Sequence, residues 1–434
     1  RNLIDGDARA VYKTTDFDIR QYKRLKMHIH SENSNPDLYT LNPGDITLFI
    51  RLGTDFTSNY YEYEVPLNPT SLNISAQDLN IRHLVWSDSL DIELEKFIDL
   101  KIARNIAMRA DGSTVSLTTP FYQYDGANKM TIVGIPNLSD VRTLMIGLRN
   151  PKQSPINLTD DGMSKCAEVW INELRLTEFD EEGGWAATTR VTADLADLGN
   201  VVMVGNVSTA GFGSIEKKVS ERQKENITSY DIATNIELGK FLPDKSGVRI
   251  PLHFDFSETY SNPQYNPLSP DLHLEDDLDT YSNQSERDSI LNIVQDYTRR
   301  KSINFINVRK EKTGTDKKAR IYDISNFDFT YAYNEVFQRN IDVEYNLKKS
   351  FRGALGYNFN NTPKNYQPLK KMKFFRKKAF RLIGDFNFYL MPKSLSFRTD
   401  MDRSYEENLW RNKTGALIII EPTYLKTFNW NRNY

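Results

Sequence analysis

The chain has 434 residues, enough for two or three domains, and a formal net charge of −2 with 26% charged residues. This balance gives no field that would attract nucleic acid, and the single cysteine, Cys166, excludes an intramolecular disulfide. No run of about 18 apolar residues occurs, so the sequence predicts no transmembrane helix. Aromatic residues reach 12%, and the 23 Tyr and 23 Phe favour strands.

Residues 1–180 predict a jelly-roll-like β-sandwich. Short alternating segments such as RLKMHIH, DITLFIRL and YYEYEVP are separated by proline or glycine, which is typical of that architecture. One helix is predicted in LEKFIDLKIARN. His28 and His30 share a strand face, but no Cys, His or acidic residue stands at a supporting spacing, so no metal site is predicted.

Residues 185–434, after a linker at 179–184, predict longer strands in consecutive hairpins. Their apolar and polar residues alternate over about ten residues, which is what a transmembrane β-barrel strand requires. A large soluble sheet with one solvated face would show the same pattern. The barrel is favoured because at least eight such arms follow one another, loop lengths alternate, and Tyr and Phe crowd the strand ends. In lipid such strands must close into a barrel, since every backbone group needs a partner.

The alternation assigns the strand residues of this all-β chain to two faces of the predicted barrel. The residues predicted to face lipid are Phe327, Phe329, Tyr331, Val343, Phe386, Phe388 and Phe397. The residues predicted to face the lumen are Asp328, Asp342, Glu344, Arg352, Asp385, Arg398 and Asp400. The lumen set carries both signs of charge, which suits a wet and weakly adhesive channel.

Connection lengths predict which loops share a side of the membrane. Short links are expected near 199–200, 241–247, 311–318, 347–350 and 391–394, with a further short connection at 334–339 that breaks the alternation. Long connections are expected at 214–228, 261–300 and 362–380. Bacterial barrels place long loops outside, so the sandwich and the 261–300 loop are predicted to be extracellular. That loop is expected to contain an acidic, solvated stretch at 271–279 and then an amphipathic helix that begins near Ser285.

The segment LKKMKFFRKKAFR interleaves basic and aromatic residues. Nucleic acid could bind such a pattern, but the charge balance elsewhere argues against it. On the outer side of the membrane, lipopolysaccharide phosphates are the better partner, with a solvated basic loop as the alternative. The residues predicted to face lipopolysaccharide are Lys370, Lys371, Lys373, Arg376, Lys377 and Lys378.

Four segments carry a family resemblance that spans most of residues 165–434: EVWINELRLTEFDEEGGWAATTRVTADLADLGNV, GKFLPDKSGVRIPLHFDFSETYSNPQYNP, RLIGDFNFYLMPKSLSFRTDMDRSYEENLWRN and FNWNRNY. They resemble the SprA (Sov) family, the giant outer-membrane translocons of type IX secretion, which is also linked to gliding motility. The resemblance implies an internal part of a very large single-chain barrel that passes folded cargo proteins. It also implies an outer cap, a lateral opening occupied by a small PorV-type barrel, and a periplasmic plug protein.

The main hypothesis is therefore a secretion channel without catalytic activity or cofactors. Two alternative functions remain. A nutrient-uptake barrel would carry a plug and a motif for an energising partner. A soluble adhesin or carbohydrate-active enzyme would carry paired carboxylates in an aromatic cleft. For the sandwich itself, a structural cap is favoured over a glycan-binding module; the candidate glycan contacts are Tyr60, Tyr61, Trp86 and Trp170.

Overall fold

The structure is a computed structural model that describes residues 2–34, 40–70, 88–153, 161–313, 320–369, 381–413 and 419–434. The described residues are mostly strands in antiparallel sheets, which confirms the predicted all-β class. They form two compact units. Unit 1 comprises Arg1–Gly184, Ala210–Lys224 and Pro263–Ile290, and unit 2 comprises Trp185–Thr209, Glu225–Asn262 and Leu291–Tyr434.

Unit 1 is a sandwich of two antiparallel sheets. Its strands are β1 (Ala8–Phe17), β2 (Tyr22–Asn33), β3 (Thr47–Gly53), β4 (Tyr60–Pro66), β5 (Asp88–Glu93), β6 (Phe121–Asp125), β7 (Asn128–Val133), β8 (Val141–Arg149) and β9 (Ala167–Phe179). Six strands pair in the order β1-β8-β3-β4-β7-β6, and three pair in the order β5-β2-β9. Alternate residues of β2 (Leu25, Met27 and Ile29) enter a core shared by both sheets, as period-two patterning requires.

Three α-helices among the described residues belong wholly or partly to unit 1. Helix α1 (Glu95–Arg109), near the predicted position, buries Phe97 and Leu100 in the sandwich core. Helix α2 (Leu274–Asp279) lies in the stretch that was predicted to be a solvated loop. Helix α3 (Gln284–Val294) confirms the predicted amphipathic helix. Its first turn is capped by Asn283, whose Oδ1 accepts from the Ser285 N–H at 3.0 Å, and not by Ser285 itself.

Unit 2 is built on one large antiparallel sheet. Its strands are β10 (Ala186–Asp194), β11 (Gly199–Ser208), β12 (Glu225–Glu237), β13 (Val248–Arg249), β14 (Pro251–Pro263), β15 (Asp296–Lys310), β16 (Phe327–Arg339), β17 (Val343–Asn360), β20 (Ser394–Trp410) and β21 (Thr423–Asn433). They pair in sequence order from β10 to β21, with β13 beside β15. The short strands β18 (Asn365–Tyr366) and β19 (Phe388–Tyr389) form a separate pair. In the described part of the chain, no helix is both long enough and apolar enough to cross a membrane.

The turn between β16 and β17 differs from the prediction. Links expected at 334–339 and 347–350 lie inside strands, and the chain reverses at 340–342 instead. The polar residues that resemble a turn are paired across the ladder: Lys349 Nζ lies 3.8 Å from Glu335, and Lys348 Nζ lies 2.9 Å from Glu406. Cross-strand ion pairs therefore keep these lysines within a strand of 18 residues.

The strand predicted over 382–390 is not formed. Residues Arg381–Gly384 form a short helix, α4, and β17 pairs directly with β20 from Asn360↔Ser394 to Val343↔Trp410. This register uses the whole of β17, so no edge remains there for another strand. The expected tight link at 391–394 is consequently part of a long connection, 361–393.

Candidate functional site

The large sheet of unit 2 has an apolar face and a polar face. Residues that pair across an antiparallel ladder point to the same side, so the register extends each face over neighbouring strands. On β16 the apolar face carries Phe327, Phe329 and Tyr331, and the polar face carries Asp328 and Thr330. These two faces are the surfaces that the sequence alternation assigned to lipid and to the lumen.

Aromatic rings on the apolar face meet across strands and remain uncovered. The rings of Phe327 and Tyr357 lie 5.0 Å apart, and Tyr357 pairs with Phe397 on the next strand. The exposed fractions of Phe327, Phe329 and Tyr331 are 41%, 47% and 36%. Contiguous exposed apolar surface of this kind marks an interaction surface for protein or membrane.

A belt of tyrosines around three carboxylates crosses the apolar face near one end of the strands. Glu258 accepts hydrogen bonds from the hydroxyls of Tyr230, Tyr260 (2.9 Å) and Tyr297 (2.6 Å). We call this the tyrosine belt; it comprises Glu258, Glu335 and Glu407 with Tyr230, Tyr260, Tyr297, Tyr333, Tyr345 and Tyr405. Tyrosine presents an apolar ring beside a polar tip, which suits the boundary between hydrocarbon and water.

The same arrangement recurs at the other two carboxylates of the tyrosine belt. Glu335 accepts from the Tyr333 hydroxyl at 2.6 Å and lies 3.2 Å from Arg299. Glu407 accepts from the hydroxyls of Tyr345 and Tyr405, each at 2.7 Å. Each carboxylate is thus stabilised by hydrogen-bond donors on this face.

The polar face carries charges of both signs in close pairs. Asp400 is only 7% exposed and lies 3.3 Å from Arg352 Nη2 and 3.0 Å from Arg398 Nε. Arg352 Nε also lies 3.6 Å from Asp402, and Asp328 accepts from the Asn358 amide at 3.3 Å. The structure therefore brings together Asp328, Arg352, Arg398 and Asp400 of the predicted lumen set on one face.

Three other residues that were predicted to face the lumen or lipid lie at strand ends. Asp342 is in the 340–342 turn beside Lys413, not on a strand face. A register shift falls between Val343 and Tyr345, so the alternation that assigned Val343 and Glu344 to opposite faces is interrupted there.

The remaining three predicted positions lie outside the large sheet. Asp385 and Phe386 are in the long 361–393 connection, and Phe388 is in the two-residue strand β19. These three residues therefore lie on neither face of the large sheet, contrary to the prediction. The reason is the direct pairing of β17 with β20, which leaves this segment off the ladder.

The predicted basic loop, Lys370 to Lys378, lies outside the described residues, but its flanking strands fix the end from which it leaves. We call the end of the sheet at Ser208 and Asp296 the first rim, and the end at Asn360 and Ser394 the second rim. Connections 209–224 and 264–295 leave from the first rim, and 361–393 leaves from the second. The premise that 362–380 shares a side with 261–300 is therefore wrong.

A buried polar cluster in unit 1 was not predicted. Asp271 is completely buried, and it accepts from the Tyr61 hydroxyl at 2.5 Å and from Lys101 Nζ at 2.6 Å. Lys101 is 1% exposed and also donates to the Pro136 carbonyl at 3.0 Å. Leu272 and Leu274 are buried beside it. The 271–279 stretch thus anchors residues 263–290 within unit 1 and is not a solvated loop.

Burial shifts the pKa values of this cluster. Burial lowers the pKa of Lys101, and the adjacent Asp271 carboxylate offsets part of that effect. The pKa of Tyr61 is raised well above its ordinary value by burial and by the Asp271 charge. A signal was present in the sequence: Leu272 and Leu274 are apolar residues inside an acidic run, which a solvated loop would not need.

Arg20 provides a second anchor for the same segment. Its Nη1 donates to the Pro270 carbonyl at 2.7 Å, its guanidinium lies 4.2 Å from the centre of the Tyr265 ring, and Asp18 accepts from its Nε at 2.9 Å. Burial raises the pKa of Asp18, but the Arg20 hydrogen bonds and charge outweigh it and lower the pKa below its ordinary value.

A carboxyl group whose pKa is lower in the folded than in the unfolded state stabilises the folded protein at pH values above the unfolded-state pKa. This stabilisation is lost as the pH falls through the folded-state pKa. We therefore expect the backbone amides of 263–290 to lose hydrogen-exchange protection as the pH falls below about 4, the unfolded value for Asp. Asp18→Asn should reduce their protection at pH 7 and remove the part of this pH dependence that Asp18 contributes. Equal pH profiles for the variant and the parent protein would contradict this prediction.

The candidate glycan and metal residues of the sandwich that the structure describes are not gathered into one site. Tyr61 is fully buried, Tyr60 is covered by the Arg51 guanidinium at 4.1 Å, and Trp86 lies outside the described residues; Trp170 is exposed. His30 is buried against the Trp170 ring. Among the residues that the structure describes, no group of three or more His, Cys, Asp or Glu side chains is placed to hold a metal ion.

Comparison with known proteins gives a family. Residues 1–278 match SprA_N, whose members are described as motility related/secretion proteins. No curated protein matches the chain. The family match covers more than half of the 434 residues and includes two of the four segments that carry the resemblance seen in the sequence, those at 168–201 and 239–267. The chain therefore belongs to the SprA_N family of motility related/secretion proteins.

Proposed function

We propose that this chain forms part of the wall of an outer-membrane channel that exports folded proteins in type IX secretion, and that it has no catalytic role. One observation carries the proposal. The strands of unit 2 expose aromatic residues on one face, bordered by the tyrosine belt, and carry paired charges on the other face. A strand wall between lipid and a water-filled channel needs this division.

The polar face suits the passage of folded proteins. Arg352 and Arg398 are paired with Asp400, and Lys348 is paired with Glu406, so neither sign of charge dominates. Folded cargo of either net charge would meet a hydrated surface with little long-range attraction. We propose that this balance lets the channel accept cargo without retaining it.

Closure and partners follow from the same proposal. Backbone groups at a strand edge in hydrocarbon lack hydrogen-bond partners, so we propose that the ladder continues into a closed barrel or onto a partner. The family resemblance suggests a small PorV-type barrel at a lateral opening and a plug protein at the periplasmic end. Outer-membrane lipid and secreted cargo proteins complete the proposed partners, with the sandwich outside the cell as a cap.

Labelling of adjacent residues tests the two faces. Phe329→Cys and Asp328→Cys are introduced separately into the full-length protein with Cys166→Ser, in intact outer membranes. The Asp328→Cys thiol should react with a charged, membrane-impermeant maleimide, and the Phe329→Cys thiol should react only with a lipid-soluble one. The matched control is Cys166→Ser alone, which should show no labelling. Equal reaction of both variants with the charged reagent would show that water covers both faces and would overturn the proposal.

A further inference from the structure

Basic residues cluster beside the tyrosine belt on the apolar face, where lipid is proposed to lie. One row across the ladder runs Lys301↔Glu335↔Lys349↔Tyr405↔Lys426. Rows on either side add further cations. The basic residues of the apolar face near the belt are Arg299, Lys301, Arg339, Lys349, Arg403 and Lys426.

These cations exceed the carboxylates available to them. The described strands place only the three carboxylates of the tyrosine belt beside these six cations on that face, and all three also accept from tyrosine hydroxyls. Glu335 is shared between Arg299 at 3.2 Å and Lys349 at 3.8 Å. Positive charge therefore remains uncompensated on a face with an apolar band.

The location of this surplus determines what can neutralise it. Unpaired cations are costly in hydrocarbon, but lysine and arginine near a strand end extend their charged groups towards the headgroup region. The row lies close to the first rim, next to the tyrosines that suit the interface. The anions available at that depth in a membrane are lipid phosphates. Lys301, Lys349 and Lys426 lie on alternate strands about 10 Å apart, so they form a line and not a single pocket.

Resting on the proposed function, we propose that Lys301, Lys349 and Lys426 bind the phosphate groups of anionic lipid headgroups in the leaflet at the first rim. None of these three lysines belongs to the 370–378 segment, whose flanking strands β17 and β20 meet the 361–393 connection at the second rim. Lipid phosphate would complete the charge balance of the face, and the tyrosine rings would pack against the adjoining acyl chains.

The test uses the full-length protein in nanodiscs of phosphatidylcholine with or without phosphatidylglycerol, with bound lipid counted by native mass spectrometry. The parent protein should enrich phosphatidylglycerol. The triple variant Lys301→Gln, Lys349→Gln, Lys426→Gln should lower that preference by about 10²-fold, taking about 1 kcal/mol for each lysine. The matched control removes the same charge from the polar face (Lys348→Gln, Arg352→Gln, Arg398→Gln) and should leave the preference unchanged.

Three results would overturn the inference. They are an unchanged preference in the Lys301, Lys349 and Lys426 variant, an equal loss in the polar-face control, and equal competition by inorganic phosphate, which would indicate a free-anion site. Unchanged heat-modifiable gel mobility of the variants shows that they are folded. Correct labelling of Phe329→Cys and Asp328→Cys together with no lipid preference would leave the proposed function standing and reject only the lipid site.

Discussion

Replacing Lys101 by methionine is expected to lower the hydrogen-exchange protection of the Leu272 and Leu274 amides by about 10² to 10³-fold. These N–H groups donate to the carbonyls of Ser269 and Gln264 and report on the opening of the 263–290 segment. The substitution leaves the Asp271 carboxylate buried without its cation, and breaking a buried ion pair from one side costs about 3–5 kcal/mol. Exchange measured by mass spectrometry on the full-length protein gives the result directly.

Two control variants separate the lost ion pair from general damage. The double variant Lys101→Met, Asp271→Leu removes both charges and should recover most of the protection, because replacing a whole buried pair by apolar groups is often nearly neutral. Arg142→Gln removes an exposed partner of Asp140 in the same unit and should change protection less than about fivefold. If the double variant is as weakly protected as Lys101→Met, the unpaired buried charge of Asp271 is not the cause of the lost protection.

Placing arginine at Phe329 is expected to prevent stable assembly of the sheet in the membrane. An arginine on the lipid face near the middle of the bilayer costs about 2–4 kcal/mol, whereas lumen positions tolerate charge. Phe329 lies on the apolar face, 47% exposed, between the tyrosine belt and the second rim. The expected result is a large decrease in the heat-modifiable, folded fraction recovered from outer membranes, and a lower urea midpoint for what remains.

The neighbouring residue on the opposite face supplies the control. Thr330→Arg introduces the same side chain at nearly the same depth but towards the polar face, opposite Ala354. This substitution removes one hydrogen bond, because the Thr330 hydroxyl accepts from the Asn307 N–H at 3.1 Å. The free energy of unfolding is therefore expected to fall by about 1 kcal/mol. If both variants assemble equally well, or Thr330→Arg is the worse, hydrocarbon does not cover the Phe329 face.

The sequence predicts the faces of unit 2 better than its turns. Alternation in FDFTYAY identifies β16 and its two faces, because period-two patterning is a local property. It does not locate the turn at 340–342, since Lys348 and Lys349 resemble turn residues until their partners are known. Those partners, Glu406 and Glu335, lie on two other strands, and one is 58 positions away (406 − 348).

The tyrosine belt has a signature in the sequence besides the alternation of apolar and polar residues. Tyr333 and Glu335, Tyr405 and Glu407, and Glu258 and Tyr260 each stand two positions apart, which places both members on one strand face. The buried ion pair between Lys101 and Asp271, in contrast, has almost no signature in the sequence. Lys101 lies 170 positions earlier, and no local rule connects two such distant residues.

Unit 1 is built from three separate stretches of the chain, so it cannot be completed until the last stretch has been synthesised. Its final stretch follows β10 to β14, so the chain must be synthesised past residue 271 before Lys101 can meet its carboxylate. Until then the nascent sandwich holds an uncompensated ammonium group at its centre, and its long-range contacts close slowly. We therefore expect an N-terminal portion that ends before residue 271 to pack less tightly than complete unit 1. The sandwich can therefore mature only after β10 to β14 have been synthesised, because these strands precede its final stretch in the chain.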